Sequence, residues 1–532
     1  MLVEYVNWTL WAVFFAVVIL VKILESAGKP SLPPGPWGVP LAGYLPFLGV
    51  DTHLHFRDLA RKYGSIFSTR LGNKLIVVLS DYKTIREAFS KEEFTGRPDT
   101  EFSNILGGYG VINSDGRLWK DQRRFLHEKL RRFGVTFGSG KDQMETKIMQ
   151  EVGMFLKELN NQADQQLTSN SSVDLEPLLA VSISNVICSI MMSVRFEHHD
   201  PHFTRFMDLI AEGFRLFGRM AYVNFIPVLR YMPGLRETRQ QIAQNRSEMA
   251  EFFQKTVDWH RATFDPTHIR DMTDNYLQEI REAKAEGREG ELFEGKDHDR
   301  QIQQIIGDLF SAGMETIKTT IQWAAVFMLH HPEVAARVQE ELDAVVGRRR
   351  LPKLEDRQSL PYTEATLLEV LRRSSVVPLG TTHATTRDVV LGGHFIPKNT
   401  QVVPLLHAVH MDPTLWDEPE KFKPERFLGP EGKVHKPQYF LPFGVGRRMC
   451  LGDVLARMEI FLFFASLMHC FDMKLPEGKE LPSLTGISGV TLTPENFSVR
   501  LQKRPLDESD FDFLLQEFSE IQSSVLRNVG SH

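Results

Sequence analysis

Cys450 stands in the run Phe443-Gly-Val-Gly446-Arg-Arg448-Met-Cys450-Leu-Gly452, which has the pattern F-x-x-G-x-R-x-C-x-G. It is a single cysteine in a glycine-rich loop, beside cations and just ahead of a helical run from Val454 to Phe464. Unpaired backbone N–H groups and a helix dipole stabilise a thiolate in such a place, and a thiolate there suits a metal. A second set lies upstream in Ala312-Gly313-Met-Glu315-Thr316. It interrupts a long helical pattern from Gln301 to Met328, in which Ile302, Ile305, Ile306, Leu309, Phe310 and Gly313 form one apolar face. Glycine within a helix costs about 1 kcal/mol relative to alanine. Small residues there make sense if something flat must approach the backbone. A hydroxyl backed by a carboxylate is suited to proton delivery. Further along, Glu369 and Arg372 share one face of a helix that starts near Pro361, within pairing reach. Arg426, in Pro424-Glu-Arg426-Phe, offers a second cation. Trp119 and Arg123, in Trp119-Lys-Asp-Gln-Arg123-Arg124, are donors suited to a carboxylate.

The rest of the chain must position these groups. With 532 residues, 42% of them hydrophobic, it can bury a large core. A net charge of −6 gives no general argument for nucleic acid. Three cysteines cannot form a disulfide framework; Cys188 and Cys470 sit in apolar runs and read as core, the usage of a reducing compartment. From Val3 to Leu24 nearly every residue is apolar or aromatic, and a spanning helix needs roughly 20 such residues. Glu4 precedes the run while Lys22 and Lys29 close it, which predicts a retained N-terminal anchor over 1–28 with the large domain in the cytosol. Pro33-Pro34-Gly35-Pro36 cannot continue a helix, and 29–40 is expected to be a stiff hinge. The main domain then runs over 41–503. It is expected to have strands at Ile66–Arg70 and Leu75–Leu79, helices from about Tyr82 to Arg373, surface loops at Asn160–Asp174 and Ala283–Arg300, and a β-rich region from Val376 to about Pro404. An acidic tail occupies 504–532.

The cysteine loop resembles the haem-binding loop of the cytochrome P450 family, and the other motifs follow in that family's order from Pro33 to about Arg500. The resemblance implies a mainly helical fold with a small β lobe. It also implies haem b with Cys450 as axial thiolate, and a monooxygenase that inserts one oxygen atom into a C–H bond. Phe443 would shield the sulfur, Arg448 would meet a propionate, and Gly446 and Gly452 would let the backbone turn around the cysteine. Arg97, Trp119, Arg123 and His383 match propionate-binding positions, and Ala312 lies on the haem face. Thr316 would hydrogen-bond the oxygen being activated, and Glu315 would relay protons from solvent. Glu369, Arg372 and Arg426 match a structural triad.

The implied electron donor is NADPH through cytochrome P450 reductase, with Arg124, Lys129, Arg131 and Arg132 as a steering patch. The implied location is the endoplasmic reticulum membrane, in contact with lipid. The aromatic segment Phe203–Leu235 would roof the substrate pocket and meet the membrane. Gly108–Ile112, Leu309, Ala312, Pro378–Thr382 and Ile487–Val490 would line it. The overall sequence resembles the insect microsomal branch and, within it, the ecdysteroid 26-hydroxylases. Competing readings are an ecdysteroid 25-hydroxylase, a xenobiotic or fatty-acid oxidase, a haem-thiolate isomerase, and a non-catalytic haem sensor. Intact Glu315-Thr316 argues against the last two.

Overall fold

The computed structural model describes Val17 and residues 31–135, 141–169, 171–197 and 200–504. Apart from Val17 and Arg504, the expected anchor and the acidic tail lie outside the described residues. Among those described, no helix is long and apolar enough to cross a membrane.

The helices that frame the site are α1 (Tyr82–Ser90), α2 (Gly116–Arg132), α3 (Lys141–Ser169), α4 (Leu175–Met191), α5 (Pro201–Phe225), α6 (Leu235–Ala262), α7 (His298–His330), α8 (Pro332–Val346), α9 (Pro361–Ser374) and α10 (Asp453–Cys470). Asp81, Asp174 and Asp297 cap α1, α4 and α7 by accepting backbone N–H groups, which satisfies donors a helix start leaves free. The central rod is α7. From Ile317 to Met328 every residue is buried, against α4 on one side and α9 and α10 on others. Helix α10 is buried from Met458 to Cys470. Burial holds the Cys188 thiol well above its ordinary range and pushes Cys470 up to about 12, so both are inert core residues.

The small lobe carries a four-stranded sheet of β1 (Ile66–Leu71), β2 (Lys74–Leu79), β3 (His383–Ala384) and β4 (Gln401–Pro404), in the order β1-β2-β4-β3. Strands β1 and β2 form an antiparallel hairpin, β4 joins β2 in parallel, and β3 closes the sheet antiparallel to β4. Both early strands lie where the sequence predicts them. The proline segment is tied to this sheet: Pro33 and Pro34 carbonyls accept from the Ser68 side chain at 2.6 Å and its backbone N–H at 2.8 Å.

The two expected surface loops are largely ordered. Asn160–Ser169 continues α3, because its polar side chains find tertiary partners: Gln166 is buried, accepts from Leu501 N–H and donates to the Val499 carbonyl. Ala283–Arg300 contains a helix end, a 3-10 segment at Glu289–Gly295 and the first turn of α7.

Candidate active site

Between α7 and the cysteine loop lies a cavity of about 360 Å³. Arg97, Trp119, Arg123, Ala312, Thr316, His383, Phe443, Arg448, Cys450 and Gly452 all line it. The fold thus gathers onto one surface residues drawn from five separate stretches of sequence.

Backbone geometry sets the cysteine loop. Gly446 has φ +85°, and a Cβ there would sit 2.2 Å from the Phe89 carbonyl oxygen, so only glycine lets the loop press against α1. The Phe89 carbonyl also accepts Arg447 N–H at 3.0 Å, and the Phe443 carbonyl accepts Cys450 N–H at 3.0 Å. Cys450 is exposed by area, yet its accessible face opens onto the cavity. Burial pushes its thiol pKa up; the Gly452 N–H pulls it down, Asp453 pushes it up, and Arg123 and Arg457 pull it down. A coordinated metal removes that proton outright. Gly452 departs from expectation. Its φ is −97°, an ordinary value, and an added Cβ would meet no protein atom within 4 Å. No tight turn requires glycine here; its missing side chain leaves room on the cavity wall.

Three guanidinium groups crowd the same cavity with no carboxylate ion pair among the described residues. Arg97 donates to the carbonyls of Ile112 at 2.8 Å and Thr382 at 2.9 Å. Arg448 donates to Thr95 and Ser114 carbonyls, each at 2.7 Å, and its guanidinium lies 4.0 Å above the Trp119 ring. Arg123 donates to the Met449 carbonyl at 2.7 Å. Burial, then the neighbouring cations, push Arg97 down to about 10 and Arg448 down to about 8. Buried like charges without a counter-ion are costly, and a pair of propionates would supply what is lacking. The residues present therefore fit haem: one thiolate, an open glycine wall and three cations awaiting anions.

His383 stacks on Phe89 with ring centroids 3.8 Å apart, and its Nδ1 lies 2.7 Å from the Phe94 carbonyl. A carbonyl only accepts, so Nδ1 carries the proton and Nε2 of the neutral ring has none. Burial first, then Arg97, push the His383 pKa down to about 3. A carboxylate against Nε2 would offset both causes.

On α7, Ala312 and Thr316 face the cavity, and Thr316 Oγ1 donates to the Ala312 carbonyl at 2.8 Å. Glu315 does not line it. Adjacent residues on a helix point about 100° apart, and here that turn carries Glu315 off the cavity wall. Glu315 instead pairs with Lys318 at 3.0 Å and accepts from Thr491 at 3.0 Å. Lys318 in turn meets Glu176 at 2.9 Å. Burial alone would lower the Lys318 pKa, but the two carboxylates outweigh it and the net shift is upward. A charged chain Glu176–Lys318–Glu315 thus runs from a part-exposed residue to the peptide beside Thr316. Gly313 lines the cavity as expected and has a second use: a Cβ there would sit 2.5 Å from Ile187 Cδ1, so its smallness also seats α4.

Glu369, Arg372 and Arg426 assemble as expected. Glu369 accepts two bonds from Arg372, at 2.7 and 2.8 Å, one from Arg426 at 3.0 Å and one from Lys423 N–H at 2.9 Å. Glu369 and Arg372 are fully buried and lie outside the cavity. The basic patch is partly neutralised on its own helix: Arg124 meets Asp121 at 2.9 Å, Arg132 meets Glu128 at 3.0 Å, and Lys129 lies over Phe125.

Two expected walls are elsewhere. No residue of Phe203–Leu235 lines the cavity; Phe203 and Phe206 pack into an aromatic core with Phe252, Phe253 and Phe310. Ile487–Val490 is also absent from the lining, and the Ser488 hydroxyl is held by Asp51 at 2.7 Å. Conversely, sequence reasoning missed Asp308, a buried carboxylate on the cavity. Its spacing four residues before Ala312, which places it on the same helix face, was the available signal.

A protein that offers one loop thiolate, three unpaired cations and a helix hydroxyl around a largely apolar chamber is built to hold haem beside an organic substrate. The family model described as Cytochrome P450 matches residues 33–501. The chain is 57% identical to cytochrome P450 18a1 of Drosophila melanogaster, over 98% of this chain and 95% of that protein. It is 36% identical to rat cytochrome P450 2U1, over 90% of this chain and 92% of that protein, and 35% identical to rat cytochrome P450 2B15, over 91% and 96%. The chain belongs to the cytochrome P450 family and is a haem-thiolate monooxygenase.

Proposed function

We propose that this monooxygenase hydroxylates an ecdysteroid side chain at its terminal carbon, C26, with electrons from NADPH through cytochrome P450 reductase at the endoplasmic reticulum membrane. The carrying observation is the chamber itself: apolar walls from Leu309, Val376, Val377 and Leu406, with the hydroxyl-bearing Thr381 among them. A sterol with a hydroxylated frame has an apolar body and hydroxyls that need partners, and a site that bonds a hydroxyl rejects analogues lacking it. The overall resemblance to the insect microsomal branch supports the same reading. Membrane contact is supported by exposed apolar residues at Trp37, Leu41, Phe47, Tyr222, Val228 and Tyr231.

Haem, when bound, supplies the iron at which dioxygen is reduced and split. The chain's own residues do the rest. Cys450 would hold the iron, and Arg97, Arg123 and Arg448 would neutralise the propionates. Thr316 Oγ1 holds and passes a proton on the cavity side. The Glu315–Lys318–Glu176 chain keeps a proton-exchanging path to solvent beside it. Purified enzyme with reductase and NADPH is expected to convert 20-hydroxyecdysone to a product one oxygen heavier, at C26. Oxidation at C25, or turnover of fatty acids while ecdysteroids neither shift the haem spectrum nor react, overturns the assignment.

A further inference from the structure

Outside the haem chamber, cations from three separate places bracket residues 105–109, where the short helix Glu101–Leu106 ends. Arg246 of α6 donates to the Ile105 carbonyl and, at 3.4 Å, to the Leu106 carbonyl. Lys296, just ahead of α7, donates to the Gly107 carbonyl at 3.3 Å and stands 4.8 Å from the centre of the Tyr109 ring. Arg300, in the first turn of α7, stands 4.4 Å from the same ring centre. The approach is close: Gly107 has φ +71°, and a Cβ there would lie 3.1 Å from Arg300 Nη2. All three cations are half-buried, and none forms an ion pair among the described residues. The neighbouring acids are committed elsewhere. Asp297 accepts the Arg300 backbone N–H at 2.7 Å, Asp299 pairs with Arg261, and Glu248 pairs with Arg205 at 2.9 Å. Burial first, then the Arg300 charge, push the Arg246 pKa down, and only Tyr109 acts against them. The Tyr109 hydroxyl and the N–H groups of Gly108 and Tyr109 make no hydrogen bond among the described residues. The cluster therefore has donors to spare and no anion.

We propose that Arg246, Lys296 and Arg300 form a binding site for a phosphate monoester group, carried either by a soluble molecule or by an anionic lipid. Half-buried like charges without a counter-ion are costly, and a bound anion removes that cost. A phosphate monoester carries a charge of about −1.5 to −2 at neutral pH and three strong acceptor oxygens. A carboxylate has one charge and two oxygens, too few for three cations. Arginine meets phosphate through two parallel N–H bonds, and lysine meets it as a point charge. One such group would bridge α6, residues 105–109 and the start of α7. None of Arg246, Lys296, Arg300 or Tyr109 lines the haem chamber, so the site is separate from the reaction and from the identity of the substrate.

The test uses the haem-loaded full chain in neutral detergent and three probes: inorganic phosphate, phenyl phosphate and the short-chain lipid dihexanoyl phosphatidic acid. Each is compared with sodium chloride at equal ionic strength, which removes general screening. Titration calorimetry is expected to show saturable binding of one phosphate group per chain, and the thermal midpoint is expected to rise with occupancy. Binding of the lipid at least tenfold tighter than phenyl phosphate assigns the lipid source; equal binding assigns the soluble one. Arg300→Gln and Lys296→Gln each remove one cation and are expected to weaken binding about tenfold, the share of one charge-assisted hydrogen bond. Both are expected to keep the reduced-CO band near 450 nm. A merely structural role for the cations would change the midpoint without any dependence on phosphate. If no probe binds saturably beyond the chloride control, or if binding is unchanged in both variants, the proposal fails. Should one variant not take up haem, the other decides, and unchanged binding in it overturns the assignment.

Discussion

Replacing Glu369 by glutamine tests how the site is braced. The carboxylate accepts four hydrogen bonds, two from Arg372, one from Arg426 and one from the Lys423 backbone, with no solvent access. Glutamine keeps one acceptor oxygen, removes the charge, and points an N–H donor at guanidinium groups that have only donors. Arg372 retains the carbonyls of His410 at 2.7 Å and Pro419 at 2.9 Å. Its charge is then unpaired in the core. Breaking a buried pair by removing one partner costs about 3–5 kcal/mol, a large share of the roughly 5–15 kcal/mol that holds a folded protein. With about 2.1 cal/mol/K of unfolding entropy per residue, a chain of this length has roughly 1 kcal/mol/K in all. The midpoint should therefore fall by about 3–5 °C. Haem loss should quicken, because Arg426 anchors the segment that leads into the cysteine loop. The assay is thermal unfolding followed by the reduced-CO band and by far-UV circular dichroism. Arg372→Ala should be similarly damaging, and the double variant should cost clearly less than the two single losses added together. A Glu369→Gln protein with an unchanged midpoint and unchanged haem retention would refute the argument that the triad is a charged brace.

Cys450→Ser removes the soft thiolate and should abolish the band near 450 nm; a surviving band would mean another ligand holds the iron. Thr316→Ala should keep haem and substrate binding yet send NADPH electrons to peroxide and water, and full coupling in that variant would remove the hydroxyl from the proton path. Two glycines of one loop should separate fold from cofactor. Gly446→Ala drives a methyl to 2.2 Å from the Phe89 carbonyl and should lower the yield of folded protein, whereas Gly452→Ala meets no protein atom within 4 Å and should fold but hold haem more weakly. Equal behaviour of the two, measured as soluble yield against haem content, would contradict that division. Deleting the residues before Lys29 should leave the CO spectrum intact, since the first hydrogen bonds of the described chain to the main domain are made from Ser31, Pro33 and Pro34; loss of haem incorporation would make the anchor part of the fold.

Local chemistry made much of this protein legible in its sequence. The cysteine loop, the long helix, the Glu369–Arg372 pair and the first hairpin each depend on residues a few positions apart, and the resemblance to the cytochrome P450 family rests on those short motifs. Strands β1 and β2 read correctly because Ile66–Arg70 and the continuous apolar run Leu75–Leu79 are short, rich in β-branched residues and separated by Gly72-Asn73. The failures involve partners distant in sequence. Asn160–Ser169 looks like a loop until Val499 and Leu501 satisfy Gln166. Phe203 and Phe206 look like a pocket roof until Phe252, Phe253 and Phe310 enclose them. That Glu315 reaches Thr491 could not be read from spacing either, since the two lie far apart in sequence. The sequence by itself determined the class of chemistry, because a thiolate loop, a helix hydroxyl and a buried charge pair need particular residue types at fixed short spacings. Only the tertiary structure decided which cations meet without counter-ions, which glycines are constrained by protein, and that Asp308 accepts the N–H of Val111, nearly 200 residues earlier. Those outcomes depend on which surfaces pack together, and packing is a property of the whole chain.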